Sequence, residues 1–230
     1  MSQKKDTKKQ PFWAFLIPTL ILLFTLGTIL IIFPKDELHL LLCRNQQEAL
    51  PFMDKLMTII TDSANWLPFV FLFLLLFYKA GWSIFLLGNM LLTTILVQPI
   101  KHLVNAPRPF TWFKENMDIT LFTADGVDFN KWLSFPSGHT ATFFALFFSL
   151  SLIICAENIK GKNIYAFILF LLATCGAYTR VYLSQHFTLD IFGGIWVAII
   201  STLFMYFFYV RKVKNPRFWN WRIIKSKKMQ

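Results

Sequence analysis

Three short stretches hold the residues best suited to chemistry: "KHLVNAPRP", "FPSGH" and "TRVYLSQHFTLD". They supply Lys101, Arg108 and Arg180, the imidazoles of His139 and His186, the carboxylate of Asp190, and Ser137 with Gly138. Three cations suit a phosphoryl group, because Arg offers a planar fork to phosphate oxygens and Lys a point charge. Ser137 and Gly138 stand directly before an apolar run, "ATFFALFFSLSLIICA". A helix starting there would add a hydroxyl and backbone N–H groups, backed by the helix dipole. Gly138 permits close backbone approach, and Pro136 restricts the chain ahead of the helix without needing an N–H partner. His186 and Asp190 are four residues apart, which is one helix face. A carboxylate so placed takes a hydrogen bond from one imidazole nitrogen and leaves the other aimed outward, the arrangement that prepares a histidine for attack.

Each residue also has a plain structural reading. Lys101 ends an apolar run and can snorkel to a membrane interface. Arg108 can meet lipid headgroups, His139 can cap a helix, and Arg180 can anchor topology. Asp190 resists such a reading, since a carboxylate near the start of an apolar span is costly and usually has a partner.

The elements that must position these residues are membrane helices. The chain has 230 residues, of which 56% are hydrophobic and 27 are Phe. Soluble domains run nearer 45–50% apolar. Six runs approach or exceed the ~18 apolar residues of a membrane span. They lie at about Phe12–Phe33, Lys55–Tyr78, Gly81–Ile100, His139–Ala156, Asn163–Tyr178 and Phe187–Tyr209. The fold class expected is therefore all-α, an integral membrane bundle of six transmembrane helices. Residues 1–11 form a basic leader, 12–210 the membrane domain and 211–230 a basic tail. The first span is long for a signal-peptide core and lacks a small-residue cleavage site, so it reads as an uncleaved helix. The three cysteines fit neither a metal site nor a disulfide framework.

Net charge is +11, and its placement says more than its size. The basic ends flank apolar spans, which points to anionic headgroups and away from nucleic acid. Six spans put both termini on one side, expected to be cytoplasmic. That side then holds fifteen of the 23 Lys/Arg but two of the 12 acids. The opposite side holds a first segment with a short interfacial helix, a long segment from Lys101 to Gly138, and a short one from Thr179 to His186. All three chemical stretches thus meet at one outer membrane face. In the long segment Trp112, Phe113, Trp132 and Phe135 are candidates for an interfacial lid or for simple aromatic anchoring. Asp62 and Asn65, near the outer end of the second span, are candidate supporting partners.

The three stretches resemble the signatures of the type 2 phosphatidic acid phosphatase family: Lys, six residues, Arg-Pro; then Pro-Ser-Gly-His; then Arg, five residues, His, three residues, Asp. All ten signature positions are filled in order. Thr179 stands where the family commonly has Ser, and "SQHFTLD" is less usual around the second histidine, a departure that bears on the pocket edge.

The resemblance implies a metal-independent enzyme without a cofactor. By it, His186 attacks phosphorus, Asp190 orients it, and His139 protonates the leaving oxygen and then activates water. Lys101, Arg108, Arg180, Ser137 and Gly138 hold the phosphoryl oxygens. The substrate implied is a phosphorylated lipid: undecaprenyl diphosphate, phosphatidic acid, phosphatidylglycerol phosphate or a lipid A phosphate. The location implied is a bacterial inner membrane with the site facing the periplasm or exterior, although a lumen-facing reticulum enzyme also fits. A lipid phosphotransferase would use the same site, and a non-enzymatic lipid transporter would need the cations but not both histidines and Asp190. Oligomeric state is not addressed by the sequence.

Overall fold

The computed structural model describes residues 12–43, 50–121 and 130–209. The basic leader, the basic tail, and Asp125 and Asp128 of the long outer segment lie outside those residues. Among the described residues there are eight helices: α1 (Trp13–Ile32), α2 (Lys35–Leu42), α3 (Pro51–Tyr78), α4 (Ala80–Val104), α5 (Pro109–Met117), α6 (Gly138–Ala156), α7 (Lys162–Tyr182) and α8 (Thr188–Phe208). Six helical stretches are long and apolar enough to cross a membrane, as expected. The chain is an all-α integral membrane bundle.

Local chemistry sets the helix ends. Pro51 opens α3 in the first turn, where its missing N–H costs nothing. Asn105 closes α4 in the left-handed region at φ 43°, with its N–H on the Lys101 carbonyl. Ser137 caps α6 by accepting from the Thr140 N–H. Asp190 accepts the Phe187 N–H at 2.8 Å and so satisfies one free donor at the start of α8.

α6 is the central helix. Of its apolar window 72% is buried, against 22% for α1. Aromatic packing joins α1 to it: the Phe15 ring stacks on Phe148 at 4.9 Å and meets Phe170 of α7 edge-on. A polar layer crosses the same core. The Asn89 amide on α4 donates to Ser149 of α6 and to Thr202 of α8, both at 2.8 Å. Such bonds join helices where apolar surface gives no preference for protein over lipid.

Two helix ends differ from expectation in ways that matter. α7 continues to Tyr182, so Arg180 lies in its last turn and not in a loop. α4 continues past Ile100, so Lys101 is also helical. Both cations are thereby held on rigid backbone. The long outer segment holds a helix, α5, that its aromatic-rich sequence did not announce.

Candidate active site

The ends of α4, α6, α7 and α8 meet at one end of the bundle. Residues 105–108 and 131–134 run beside each other there, with the Arg108 N–H on the Lys131 carbonyl at 2.9 Å and the Ser134 N–H on the Ala106 carbonyl at 3.0 Å. This clamp seats the long segment over the site. The Phe135–Pro136 peptide is cis. Gly193 and Gly194 on α8 let the stretch before α6 lie against it. A Cβ at Gly194 would come within 2.7 Å of the Ser137 carbonyl, and one at Gly193 within 2.5 Å of the Phe135 ring. The Ser137 N–H then reaches the Asp190 carbonyl at 3.0 Å, locking the start of α6 to the start of α8.

His186 is buried between these elements, 1% exposed. Its Nδ1 stands 3.3 Å from Asp190 Oδ2 and 3.4 Å from Ser134 Oγ. Ser134 also donates to the same carboxylate oxygen at 2.5 Å. An ionised carboxylate only accepts, so Nδ1 carries the proton and Nε2 keeps its lone pair. Nε2 makes no hydrogen bond among the described residues. Burial, then the charges of Arg180, Arg108 and Lys101, push the His186 pKa well below its ordinary value. The imidazole is therefore neutral at neutral pH, the form that can attack.

The cations converge on it. Lys101 donates to the Leu133 carbonyl at 2.7 Å. Arg180 is 4% exposed and donates to Thr61 of α3 at 2.7 Å. Gln185 accepts from Arg180 at 2.6 Å and from Arg108 at 3.2 Å, so one amide oxygen ties the two guanidinium groups together. The Nε of Arg180 is buried without a hydrogen-bond partner. An unpaired donor on a buried cation is costly and calls for an acceptor from outside the protein.

The start of α6 is split in its roles. Ser137 Oγ accepts from the Thr140 hydroxyl at 3.0 Å and from its N–H at 3.4 Å. Its own N–H is used by Asp190, so the backbone donors left for a ligand are those of Gly138 and His139. A Cβ at Gly138 would sit 3.8 Å from Lys101 Cε, an ordinary contact, so packing alone does not require glycine there. His139 lies within electrostatic reach of Arg180, His186, Arg108 and Lys101 and lines a cavity of about 110 Å³.

All eight residues expected at the site are thus at one end of the bundle. The aromatic residues offered for a lid or for anchoring fall in different surroundings. Phe113 is fully buried in a cluster with Leu121 and Phe187, and Phe135 packs onto Gly193. Phe113 is turned inward, while Phe135 is half-buried and also borders an apolar groove. Trp132 is 46% exposed. Of the supporting partners expected on α3, Asp62 acts on Arg180 through charge, while the neighbouring Thr61 makes the hydrogen bond. Ser134, Gln185 and Gly193–Gly194 were not singled out by sequence. The doubled glycine four residues after Phe187–Thr188–Leu189 was the one visible signal. His39 of α2 backs the site, its ring against Phe113 and Phe187 and its Nε2 3.4 Å from Ser184 Oγ. Burial lowers its pKa to about 4, partly countered by Asp190, so it packs as a neutral ring. Among the described residues no three His, Cys, Asp or Glu side chains group as metal ligands would.

Two solved structures and one family profile are similar to this chain. The crystal structure of Aquifex aeolicus LpxE is similar at TM-score 0.59 and 27% identity, over 74% of this chain and 93% of that one. A transmembrane PAP2 type phosphatidylglycerolphosphate phosphatase from Bacillus subtilis matches at TM-score 0.63 and 21% identity, over 90% of this chain and 99% of that one. At that identity the second likeness speaks to fold. A search of curated proteins returns no match. A profile of the PAP2 superfamily matches residues 82–214, more than half the chain and all eight residues expected at the site, and the chain belongs to that superfamily.

Proposed function

We propose that the protein is a metal-independent phosphatase acting on a membrane lipid phosphate or diphosphate through a phosphohistidine. The observation that carries this reading is the neutral, buried His186, held through Nδ1 by Asp190 among three cations. In the first step His186 Nε2 bonds to phosphorus, the bond from phosphorus to the lipid oxygen breaks, and that oxygen takes a proton from His139. In the second, water gives a proton to His139 as its oxygen bonds to phosphorus, and the P–N bond breaks to release phosphate. Lys101, Arg108 and Arg180, with Ser137 Oγ and the Gly138 N–H, neutralise the charge on the phosphoryl oxygens. Asp190 and Ser134 hold the His186 tautomer. Family membership and the likeness to LpxE support the same chemistry.

The site end is assigned to the periplasmic or exterior face of a bacterial inner membrane, with both basic termini in the cytoplasm. The sequence distribution of Lys and Arg supports this side. In a variant without native cysteines, a cysteine at Asn105 then reacts with an impermeant thiol reagent in intact cells, and one at Lys160 does not. Labelling at Lys160 alone inverts the assignment. The activity itself is tested by phosphate release from purified lipid phosphates in the presence of EDTA. Release persists and vanadate inhibits it. Loss of activity on chelation with rescue by Mg²⁺ overturns the metal-independent mechanism. Transfer of label to a second lipid in place of water identifies a phosphotransferase instead.

A further inference from the structure

The two flanks of the site differ in chemistry. On the side of Asp190 lies an apolar groove of about 290 Å³, lined by Val104, Pro107, Phe135, Phe187 and Leu189 with Lys35 at its rim. On the side of His139 lies the cavity of about 110 Å³, where the polar side chains of Asn65, Thr93, Thr94, Gln98, Thr142 and His139 share the wall with Ala64, Val97 and Gly138. Asn65, Thr94 and Gln98 are exposed along the seam between α3 and α4. The amides of Asn65 and Gln98 make no hydrogen bond among the described residues. Gln98 and Thr94 precede Lys101 by three and seven residues, which places them about 4.5 and 10 Å deeper along α4. The Thr94 hydroxyl donates to the Met90 carbonyl, but the open Gln98 amide is costly against hydrocarbon at its depth and marks a path for something polar.

In-line displacement puts the leaving oxygen on the face of phosphorus opposite the nucleophile. With His186 attacking and His139 protonating, the leaving group's first atoms fall in the His139 cavity. At about 30 Å³ for each water, the cavity holds roughly three or four waters' worth of atoms, near the size of a glycerol unit. No cation lines it, and Asp62 stands one helical turn from Asn65 on the same face of α3. A second phosphate is therefore poorly matched, and a bare hydrocarbon leaves the amides unpaired.

We propose that this cleft receives the leaving group and selects a neutral hydroxylated one, a glycerol or sugar unit, over a prenyl chain or a prenyl phosphate. The assignment rests on the phosphatase reading above. The test is kcat/KM of the purified full-length protein in mixed micelles for three probes: phosphatidylglycerol phosphate, a lipid A 1-phosphate and farnesyl diphosphate. Nitrophenyl phosphate serves as a control for phosphatase chemistry. The wild type favours one of the first two over farnesyl diphosphate by at least ~10-fold, about the effect of one or two hydrogen bonds. Gln98→Leu and Asn65→Leu, which place apolar groups on a bilayer-facing seam, each reduce that ratio by ~5–10-fold. Farnesyl diphosphate as the best wild-type probe overturns the proposal while leaving the phosphatase reading intact. So does an unchanged ratio in both variants. Absence of phosphate release from every probe, nitrophenyl phosphate included, overturns the phosphatase reading and this one with it.

Discussion

At the end of the bundle far from the site, one carboxylate takes three donors. Glu157, at the end of α6, accepts from Trp82 at 2.7 Å, from Tyr78 at 3.0 Å and from Lys79, with which it forms an ion pair. Burial alone would raise the Glu157 pKa, but the bonds from Lys79, Trp82 and Tyr78 hold it below the ordinary value. Charge and hydrogen bonds close on themselves, and the turn between α3 and α4 is stapled to α6. At the site end three cations face Asp62, which acts on Arg180 through charge, and Asp190, whose Oδ2 already serves Ser134, Phe187 and His186. Arg180 keeps a buried donor without a partner. One end is a finished ion pair; the other carries more cations than carboxylates. Buried charge left unbalanced is a liability unless a ligand completes it.

The contrast is open to attack first at Asp190. Asp190→Asn retains the shape but removes the charge and puts an amide donor in place of one carboxylate oxygen, which disturbs the His186 tautomer. Activity falls by up to ~10⁴-fold, by analogy with the same change in a serine triad, while the variant keeps its wild-type elution and helix content. A loss under ~10-fold would falsify the orienting role. Arg180→Lys comes next. It keeps the charge but loses the fork and the unpaired Nε, and kcat falls ~10²–10³-fold, as when one preorganised donor is removed. Gln185→Leu frees the two guanidinium groups from their shared acceptor. Its expected effect is smaller, a rise of ~10-fold in the vanadate inhibition constant with kcat less affected. An equal loss in both measures points to general misfolding of the site.

The finished end responds in stability. Glu157→Gln breaks the ion pair and costs about 1–3 kcal/mol, or roughly 2–10 °C in Tm, while activity per folded molecule stays at the wild-type level. A carboxyl whose folded pKa is depressed stabilises above its unfolded value and loses that contribution as pH falls. The Glu157 staple is therefore complete above pH 4.5, the ordinary value, and lost as pH falls through the lower folded value. Thermal melts of wild type and Glu157→Gln converge at acid pH. A gap that widens there contradicts the sign.

Which parts were legible in advance follows the same division. Spans, and the meeting of three distant stretches, could be read because charged residues are rare in apolar chain and loop charge fixes the crossing pattern. His186 and Asp190 could be paired because their contact is local, four residues apart, although His186 stands just before α8 and not on its face as expected. Contacts between segments could not. Ser134 reaches Asp190 across 56 positions and Thr61 reaches Arg180 across 119, and hydroxyl residues are too common for identity to flag them. Gln185 was not singled out within its less usual stretch, because its place between two arginines depends on the turn at Ser184, φ 53°. Helix ends drifted because apolar character fades at a membrane surface while backbone hydrogen bonding continues, as in α7 beyond Tyr178.

In this reading the site end receives a phosphoryl group that becomes bonded to His186. Rapid quenching of the purified protein with substrate labelled in its phosphate tests that bond. The wild type forms an acid-labile, alkali-stable phosphoprotein, His186→Ala forms none, and His139→Ala, lacking its base for the second step, accumulates it with a substrate bearing a good leaving group. Phosphoprotein that persists in His186→Ala and disappears in His139→Ala reverses the two histidines and overturns the mechanism drawn here.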